Sequence, residues 1–219
     1  MKFISRKEHI ALVGLLLAVA AASPARANVF VLYNFNSITT PLAASTVGSG
    51  ISSASNIGFG GFAGQWSEPT GVFQANPGAV TTAALAVASG NYATFTLVAT
   101  TSMNLSSLTL DGGYGQFSNP AGYALESSVD GYSSILSTAA FTTQLPTFAT
   151  QTIDLSGASF QGLSSITFRV FGYVKNAGTE QFDNITVNGT LAVPEPSALA
   201  LAGIGMAGLF RLMASRRRN

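Results

Sequence analysis

The side chains that could carry chemistry are almost all carboxylates. Between Asn28 and Ala192 the sequence has two cations, Arg169 and Lys175, and seven anions, for a net charge of −5. The anions are Glu68, Asp111, Glu126, Asp130, Asp154, Glu180 and Asp183. Hydrolysis of a glycosidic bond needs two carboxyl groups about 5 to 10 Å apart, one with a raised pKa. Two of these carboxylates lie just before glycine, in Asp111-Gly112 and Asp130-Gly131, which is typical of turns. The sequence therefore predicts a protein that is not an enzyme.

Residue types that other catalytic sites require are missing from the same stretch. The one histidine of the chain is His9, and there is no cysteine. A segment without either has no Ser-His-Asp triad, thiol nucleophile or ordinary zinc site. It also lacks a basic cluster that would bind phosphate groups, so nucleic acid is excluded as a partner. Without disulfides, one packed core is expected to stabilise it as a single domain.

Aromatic side chains are the second group that could bind a ligand. The glycine-rich stretch from Gly58 to Trp66 holds Phe59, Phe62 and the single tryptophan. In one interpretation it is a surface loop that lays these rings across one face, where Trp66 would stack on a sugar. In the favoured alternative the rings pin the loop to the core, because long loops need internal packing. A ligand-binding face would also use exposed tyrosines, such as Tyr114, Tyr123 and Tyr132.

The C-terminal segment, residues 193–219, combines three features. It opens with Val193-Pro194-Glu195-Pro196, where the prolines hold the backbone extended and remove hydrogen-bond donors. An apolar run follows over residues 198–210, and Arg216, Arg217 and Arg218 close the segment. The run is expected to form a helix in lipid, with the arginines on the cytoplasmic side. Arg211 makes it shorter than the roughly 20 residues of a full span, which favours transient retention over the alternative, an ordinary membrane anchor.

This ending resembles the PEP-CTERM sorting signal of Gram-negative bacterial surface proteins. The matching parts are Pro194-Glu195-Pro196, the apolar run and the arginine cluster. The resemblance implies that an exosortase in the inner membrane cuts the exported chain near the Pro-Glu-Pro element. It also implies a final location at the cell surface or outside the cell, in a setting of exopolysaccharide or biofilm.

The N-terminal segment, residues 1–27, has the pattern of a secretory signal peptide. Basic residues precede a short apolar stretch over residues 10–22, and Ala25-Arg26-Ala27 supplies the small residues that signal peptidase recognises. A transmembrane helix is the less favoured alternative, because the apolar stretch is short. We expect the exported chain to begin at Asn28.

Between these two segments, residues 28–192 are predicted to form an all-β domain. Alternating apolar and polar residues mark strands near residues 29–36, 92–98, 108–110, 123–128, 166–171 and 182–187. Asp130-Gly131 is predicted as a hairpin turn, with residues 132–136 as the returning strand. Many short strands separated by turns indicate a sandwich or barrel.

The order of these strands resembles jelly-roll ectodomains of PEP-CTERM proteins and jelly-roll carbohydrate-binding modules. The predicted fold is therefore a jelly-roll-like β-sandwich, with a signal-peptide helix before it and a transmembrane helix after it. The resemblance implies one metal hypothesis, in which Asp183 helps to bind a structural calcium ion; no other cofactor is expected. The favoured alternative is that Asp183 pairs with Arg169 or caps the loop at Gly178-Thr179, because ion pairs and turn bonds are commoner than metal sites.

Two functions follow. The favoured one is a non-enzymatic surface or extracellular-matrix protein, processed by signal peptidase and an exosortase and held briefly in the inner membrane. The alternative is a carbohydrate-binding module that uses Trp66 and exposed tyrosines to bind polysaccharide.

Overall fold

The computed structural model describes residues 27–37, 42–61, 71–77, 80–115, 120–174 and 178–192, and the backbone of residues 66–67. Strands dominate this part of the chain. They are β1 Asn28–Tyr33, β2 Thr46–Val47, β3 Ile51–Ala54, β4 Gly58–Gly60, β5 Trp66–Ser67, β6 Phe73–Ala75, β7 Tyr92–Tyr114, β8 Ala121–Ser127, β9 Ser137–Ala140, β10 Ala149–Asp154, β11 Leu163–Val174 and β12 Glu180–Leu191. One helix, α1 Ala83–Ser89, and two 3₁₀ turns, Ser128–Asp130 and Ala158–Phe160, complete the described elements.

The long strand β7 links the two layers of the fold. Its first part pairs with β11, β3 and β4, and its second part pairs with β12 and β10. Layer A extends from β11 to β8 and β9, whereas layer B extends from β12 to β1, β2 and β6. The pairing changes around Thr100–Ser102, so the sheet folds over itself there. The result is an antiparallel β-sandwich, as the alternation of residues predicted.

The core fills the space between the layers with alternating side chains. Phe95 of layer A meets Tyr33 of layer B with ring centroids 5.2 Å apart. Phe73 and Phe182 form a second ring contact at 5.7 Å. Burial of aromatic side chains of this size supplies much of the stability of a chain that has no cysteine.

The helix α1 covers part of the outer face of layer A. The Thr82 side chain accepts a hydrogen bond from the Leu85 N–H, and Gly90 ends the helix in the left-handed conformation. Ala86 packs with Phe171 and Tyr173 of β11. The alternation of apolar and polar residues does not predict this helix, although both capping signals, Thr82 and Gly90, are present in the sequence.

Two local predictions are wrong. The 3₁₀ turn Ser128–Asp130 and a longer connection follow β8, so the returning strand is β9 and not residues 132–136. The stretch from Gly58 to Trp66 is not a loop throughout, since Gly58–Gly60 forms β4 at the edge of β7, and residues 62–65 lie outside the described residues. Phe59 does pack against the core, with its ring 5.8 Å from that of Phe73.

Among the described residues, no helix is long and apolar enough to cross a bilayer. The predicted signal-peptide helix and the predicted C-terminal span lie outside the described residues. The described domain ends at Ala192, whose N–H donates to the Ser102 carbonyl at 2.8 Å.

Candidate functional site

The predicted processing sites fall largely outside the described residues. This holds for Ala25 and for the sorting residues Val193, Pro194, Glu195, Pro196, Arg216, Arg217 and Arg218. Ala27 is described and exposed, directly before β1. The backbone of Trp66 pairs with Ala75 across β5 and β6. Its side chain, which is the predicted sugar platform, lies outside the described residues.

Asp183 lies in a small polar cluster on layer B. The Asn184 N–H donates to Asp183 Oδ1 at 2.7 Å, and Asn184 Nδ2 donates to Asp183 Oδ2 at 3.1 Å. The same amide nitrogen donates to Asp111 Oδ2 at 3.0 Å, and Thr150 donates to Asp111 Oδ1 at 2.5 Å. The amide of Asn184 therefore bridges two carboxylates that face each other across β12 and β7.

The backbone explains why asparagine occupies position 184. The register between β12 and β7 shifts between Asp183 and Thr186, and Asn184 has φ of 46°. Asparagine enters this left-handed region more readily than most residues. Burial raises the pKa of Asp183, the Asn184 N–H lowers it, and the nearby Asp111 carboxylate raises it further.

These contacts bear on both interpretations of Asp183. Its hydrogen bonds go to its neighbour Asn184, and Arg169 lies against tyrosines on the outer face of layer A, so the predicted pairing is wrong. A calcium ion needs six to eight oxygen ligands. All four carboxylate oxygens of Asp111 and Asp183 accept a hydrogen bond, and the described residues contain no group of three acidic, His or Cys side chains. The described cluster does not fit calcium.

The tyrosines named as sugar platforms differ in exposure. Tyr123 is 2% exposed, and its hydroxyl lies 3.1 Å from the Ser137 hydroxyl, so it belongs to the core. Burial raises its pKa. Tyr114 and Tyr132 are half-buried. Of these three, only Tyr132 takes part in a contact on the outer face of layer A.

Arg169 lies between two tyrosine rings on that outer face. It alternates along β11 with the buried residues Phe168 and Val170, and therefore points away from the core. Its guanidinium carbon is 3.6 Å from the ring centroid of Tyr132 and 4.4 Å from that of Tyr92. Each such contact contributes about 0.5–1 kcal/mol at exposed sites. Two rings restrict the guanidinium to one position, so its N–H donors have a fixed arrangement.

A strained turn holds Tyr132 in this position. Tyr132 has φ of 61°, which is uncommon for a large side chain. Its N–H donates to the Ser127 carbonyl and to Asp130 Oδ1, both at 3.1 Å. Asp130 also accepts a hydrogen bond from the Ser134 hydroxyl, and this bond is the main reason why its pKa is lowered. Asp130 therefore has a structural role in the turn.

Glu126 and several hydroxyl groups surround Arg169. Glu126 lies opposite Arg169 on β8 and is 4% exposed. Burial raises its pKa, and the positive charge of Arg169 partly opposes this shift. Thr94 donates to the Phe168 carbonyl at 2.9 Å, and the hydroxyls of Thr96 and Thr167 lie 2.8 Å apart. We call this set the Arg169 face: Tyr92, Thr94, Thr96, Glu126, Tyr132, Thr167 and Arg169.

Glu180 is the most unusual carboxyl group in the described residues, and sequence reasoning missed it. It is 0% exposed, and its Oε2 accepts a hydrogen bond from the Gly122 N–H at 3.2 Å. Its Oε1 has no hydrogen-bond partner. Burial raises the pKa of Glu180 well above its usual value, against the opposing effect of the Gly122 and Tyr173 N–H groups. A raised pKa is typical of catalytic acids, but a group with no exposed surface cannot meet a substrate.

The comparison with protein families decides the nature of the C-terminal segment. Residues 192–218 match the PEP-CTERM protein-sorting motif. This match confirms the resemblance drawn from Pro194-Glu195-Pro196 and the arginine cluster. The PEP-CTERM motif indicates an exported protein that is held transiently in a membrane by its C-terminal region. The motif begins where β12 has just ended at Leu191.

No curated protein matches the chain. Among solved structures, the chain is similar to the CBM22-1 xylan-binding domain from Paenibacillus barcinonensis Xyn10C, at 15% identity and a TM-score of 0.41, covering 78% of this chain and 100% of that one. It is also similar to the K1 cleaved adhesin domain of Lys-gingipain from Porphyromonas gingivalis, at 14% identity and a TM-score of 0.36, covering 74% and 97%. A third is CBM29_1 from Piromyces equi, at 8% identity and a TM-score of 0.35, covering 76% and 91%.

Proposed function

We propose that this protein is a non-enzymatic component of the cell surface or extracellular matrix, sorted by an exosortase that cuts near Pro194-Glu195-Pro196. The PEP-CTERM match at residues 192–218 carries this proposal. Signal peptidase removes residues 1–27 on export, and the inner membrane holds residues 193–219 until the second cut. The released domain then joins a matrix of exopolysaccharide or biofilm.

The position of the motif supports processing of a folded domain. β12 pairs with β7 up to Leu191, and Ala192 makes the last described backbone bond, to Ser102. The Pro-Glu-Pro element therefore follows closely on the last residue that the structure describes. Prolines at 194 and 196 cannot donate to a β-ladder, so the strand is not expected to continue.

The C-terminus of the mature protein tests the sorting proposal. Mass spectrometry of the protein from cells with and without the exosortase should give a chain ending near the Pro-Glu-Pro element only when the enzyme is present. Replacing Pro194, Glu195 and Pro196 together by alanine should leave the protein in the membrane fraction, whereas Ser197→Ala should not. A chain that ends at Asn219 in both strains would contradict the proposal.

A second function, polysaccharide binding, is favoured by one observation, the guanidinium of Arg169 fixed between two tyrosines. Sugar recognition uses aromatic rings together with groups that hydrogen-bond to hydroxyls. The strained backbone at Tyr132 agrees with this function, because strain persists where a side chain must be held in place. The net charge of −5 between residues 28 and 192 disfavours polyanions, so the ligand class is neutral polysaccharide.

Binding of the purified protein to a panel of neutral polysaccharides tests this second function. Arg169→Gln and Tyr132→Ala should each weaken binding by about tenfold, equivalent to about 1.4 kcal/mol. Asp154→Asn is the matched control, because this exposed acid lies on β10 of layer B. Weaker binding by Trp66→Ala would support the hypothesis that Trp66 stacks on a sugar. Equal binding by the Arg169 variant and the parent would exclude the Arg169 face.

A further inference from the structure

Both ends of the domain emerge at the same end of the sandwich. β1 begins at Asn28, which pairs with Gly189 near the end of the antiparallel strand β12. Leu191 pairs with Met103, and Ala192 bonds to Ser102. Since β1 leaves this end and β12 returns to it, residues 1–27 and 193–219 attach to the domain side by side.

Three connections form the rest of this end. The turn between β2 and β3 meets β12 there, since a Cβ added at Gly50 would lie 2.1 Å from Leu191 Cδ1. The Thr100 N–H at the fold of β7 donates to the Gly50 carbonyl at 2.9 Å. The Gly162 N–H, just before β11, donates to Asn104 Oδ1 at 2.8 Å. We call this end the exit pole: residues 28–29, 47–51, 99–104, 161–164 and 190–192.

The exit pole carries no charged side chain. Its residues are Ala, Asn, Gln, Gly, Ile, Leu, Met, Ser, Thr and Val only. Of the described acids, Asp154 lies nearest to the pole, opposite Ser107 of β7, whereas Glu180 and Asp183 lie at the opposite end of β12. In a domain of net charge −5, an uncharged pole is the surface that anionic headgroups repel least.

Exposed apolar side chains mark the same pole. Four large hydrophobic residues of the described chain are exposed, and two of them belong to the exit pole: Val29 at 41% and Val47 at 47%. The other two are Leu85 on α1 at 53% and Ile135 at 37%. The two valines are close together, because β2 pairs with β1 and the turn after Val47 packs on the Val29 backbone.

The connection from the exit pole to the apolar run is short. Five residues, 193–197, lie between Ala192 and Ala198, and the six steps from one Cα atom to the next span at most roughly 20 Å when fully extended. The strand β12 alone is about 40 Å long at roughly 3.3 Å per residue. The connection is therefore shorter than the domain is long. Once the apolar run is inserted in a membrane, the exit pole must stay close to the membrane surface.

We infer that the exit pole is a membrane-facing surface, on which the folded sandwich rests against the phospholipid bilayer while its C-terminal segment is inserted. This inference rests on the proposed function, which supplies the inserted segment. Val29 and Val47 contact the headgroup region, and α1 and the Arg169 face stay away from lipid. The exosortase then meets the Pro-Glu-Pro element at a fixed height above the bilayer.

Single-cysteine labelling tests this arrangement, because the sequence has no cysteine of its own. Full-length Val47→Cys protein, labelled with a fluorophore, is reconstituted into vesicles of phosphatidylethanolamine with phosphatidylglycerol as the minor component. Lipids with a quencher in the headgroup report contact. Leu85→Cys is the matched control, since it is equally apolar and exposed but lies on α1. We expect several-fold stronger quenching at position 47 than at position 85, and near-native circular dichroism for both.

The outcomes separate the inference from the proposed function. Failure of the protein to float with vesicles would contradict insertion of the C-terminal segment, and with it the basis of the inference. Flotation with equal quenching at both positions would overturn the membrane-facing pole and leave the sorting proposal intact. Strong quenching at position 47 only in membranes that contain the exosortase would assign the pole to that protein instead of lipid. In a Val29→Glu, Val47→Glu double variant that still floats, a fluorophore at Ser49→Cys should be quenched no more strongly than a fluorophore at Leu85→Cys.

Discussion

At the scale of single residues, Glu180 links the two layers of the sandwich. It begins β12 in layer B, and its carboxyl group accepts a hydrogen bond from Gly122 in layer A. Because burial disfavours the charged form, its pKa is raised and the folded state retains a proton that the unfolded chain releases. Stability from this group is therefore complete below the ordinary glutamate pKa of about 4.3 and is lost as the pH rises toward the folded-state pKa.

Glu180→Gln should remove this pH dependence. In the parent, the free energy of unfolding should fall by about 1.4 kcal/mol per pH unit over the window in which only the unfolded state is ionised. Urea unfolding at a series of pH values above about 5 measures the slope, which should be flatter in the variant. Asp154→Asn is the control, because its pKa is lowered and it is ionised in both states over this range. Equal slopes for Glu180→Gln and the parent would contradict the assignment.

The same carboxyl group requires glycine at position 172. A Cβ at Gly172 would lie 1.5 Å from Glu180 Oε1 and 3.1 Å from Ala75 Cβ. Gly172→Ala should therefore destabilise the protein by about 1–3 kcal/mol through overpacking. Gly157→Ala is the matched control, with φ of −60° and no heavy atom within 4 Å of the added Cβ. Chemical denaturation of the two variants should separate them clearly; similar midpoints would mean that the two layers are not packed this closely.

The Asp183 cluster leads to a prediction about metal. Because the Asn184 amide already bridges the two carboxylates, EDTA should leave the melting temperature unchanged. Asn184→Ala should lower the stability by about 1–3 kcal/mol, since it leaves two facing carboxylates without their shared donor. A drop in melting temperature on EDTA treatment, reversed by calcium, would restore the calcium hypothesis.

At the scale of elements, α1 depends on its caps because it has only 7 residues. Isolated helices of this length are unstable in water, so packing on β11 and capping must hold it. Thr82→Ala should cost about 1 kcal/mol, because it removes the acceptor for the Leu85 N–H. Thr81→Ala serves as the neighbouring control, and differential scanning calorimetry would measure both. An unchanged melting temperature in Thr82→Ala would show that packing alone fixes the helix.

At the scale of the whole molecule, Ala192 is the last residue of the described fold. β12 is a central strand, with β1 on one side and β7 on the other. A chain that stops after Ala192 should keep the unfolding midpoint of the full chain, since the last described backbone bond is retained. A chain that stops after Ile185 should fail to fold, because it loses the pairing of Thr186–Leu191 with β7. Circular dichroism and urea titration distinguish these results. A lowered midpoint for the longer truncation would extend the domain beyond Ala192.

The sequence by itself determined the sorting signal of the protein and its fold class. The Pro-Glu-Pro element, the apolar run and the arginines are recognised from adjacent residues, and the family match at residues 192–218 confirms them. The alternation that predicted strands near residues 92–98, 166–171 and 182–187 is also local, because side chains on a strand alternate between two faces. Periodicity could not show that β7 continues through Thr100–Ser102 into both layers.

Only the tertiary structure decided which side chains meet. Tyr92, Tyr132 and Arg169 come together because β7, the turn after β8 and β11 lie side by side, and no local pattern contains that information. In the sequence, Glu180 is an ordinary acid at the end of a strand. In the folded protein, Gly122 and Gly172 of the other layer enclose it. The exit pole likewise exists only because the first strand pairs with the last. Long-range strand pairing determines which side chains are buried and which groups surround them. Burial and the surrounding groups in turn determine the charge state of each ionisable side chain.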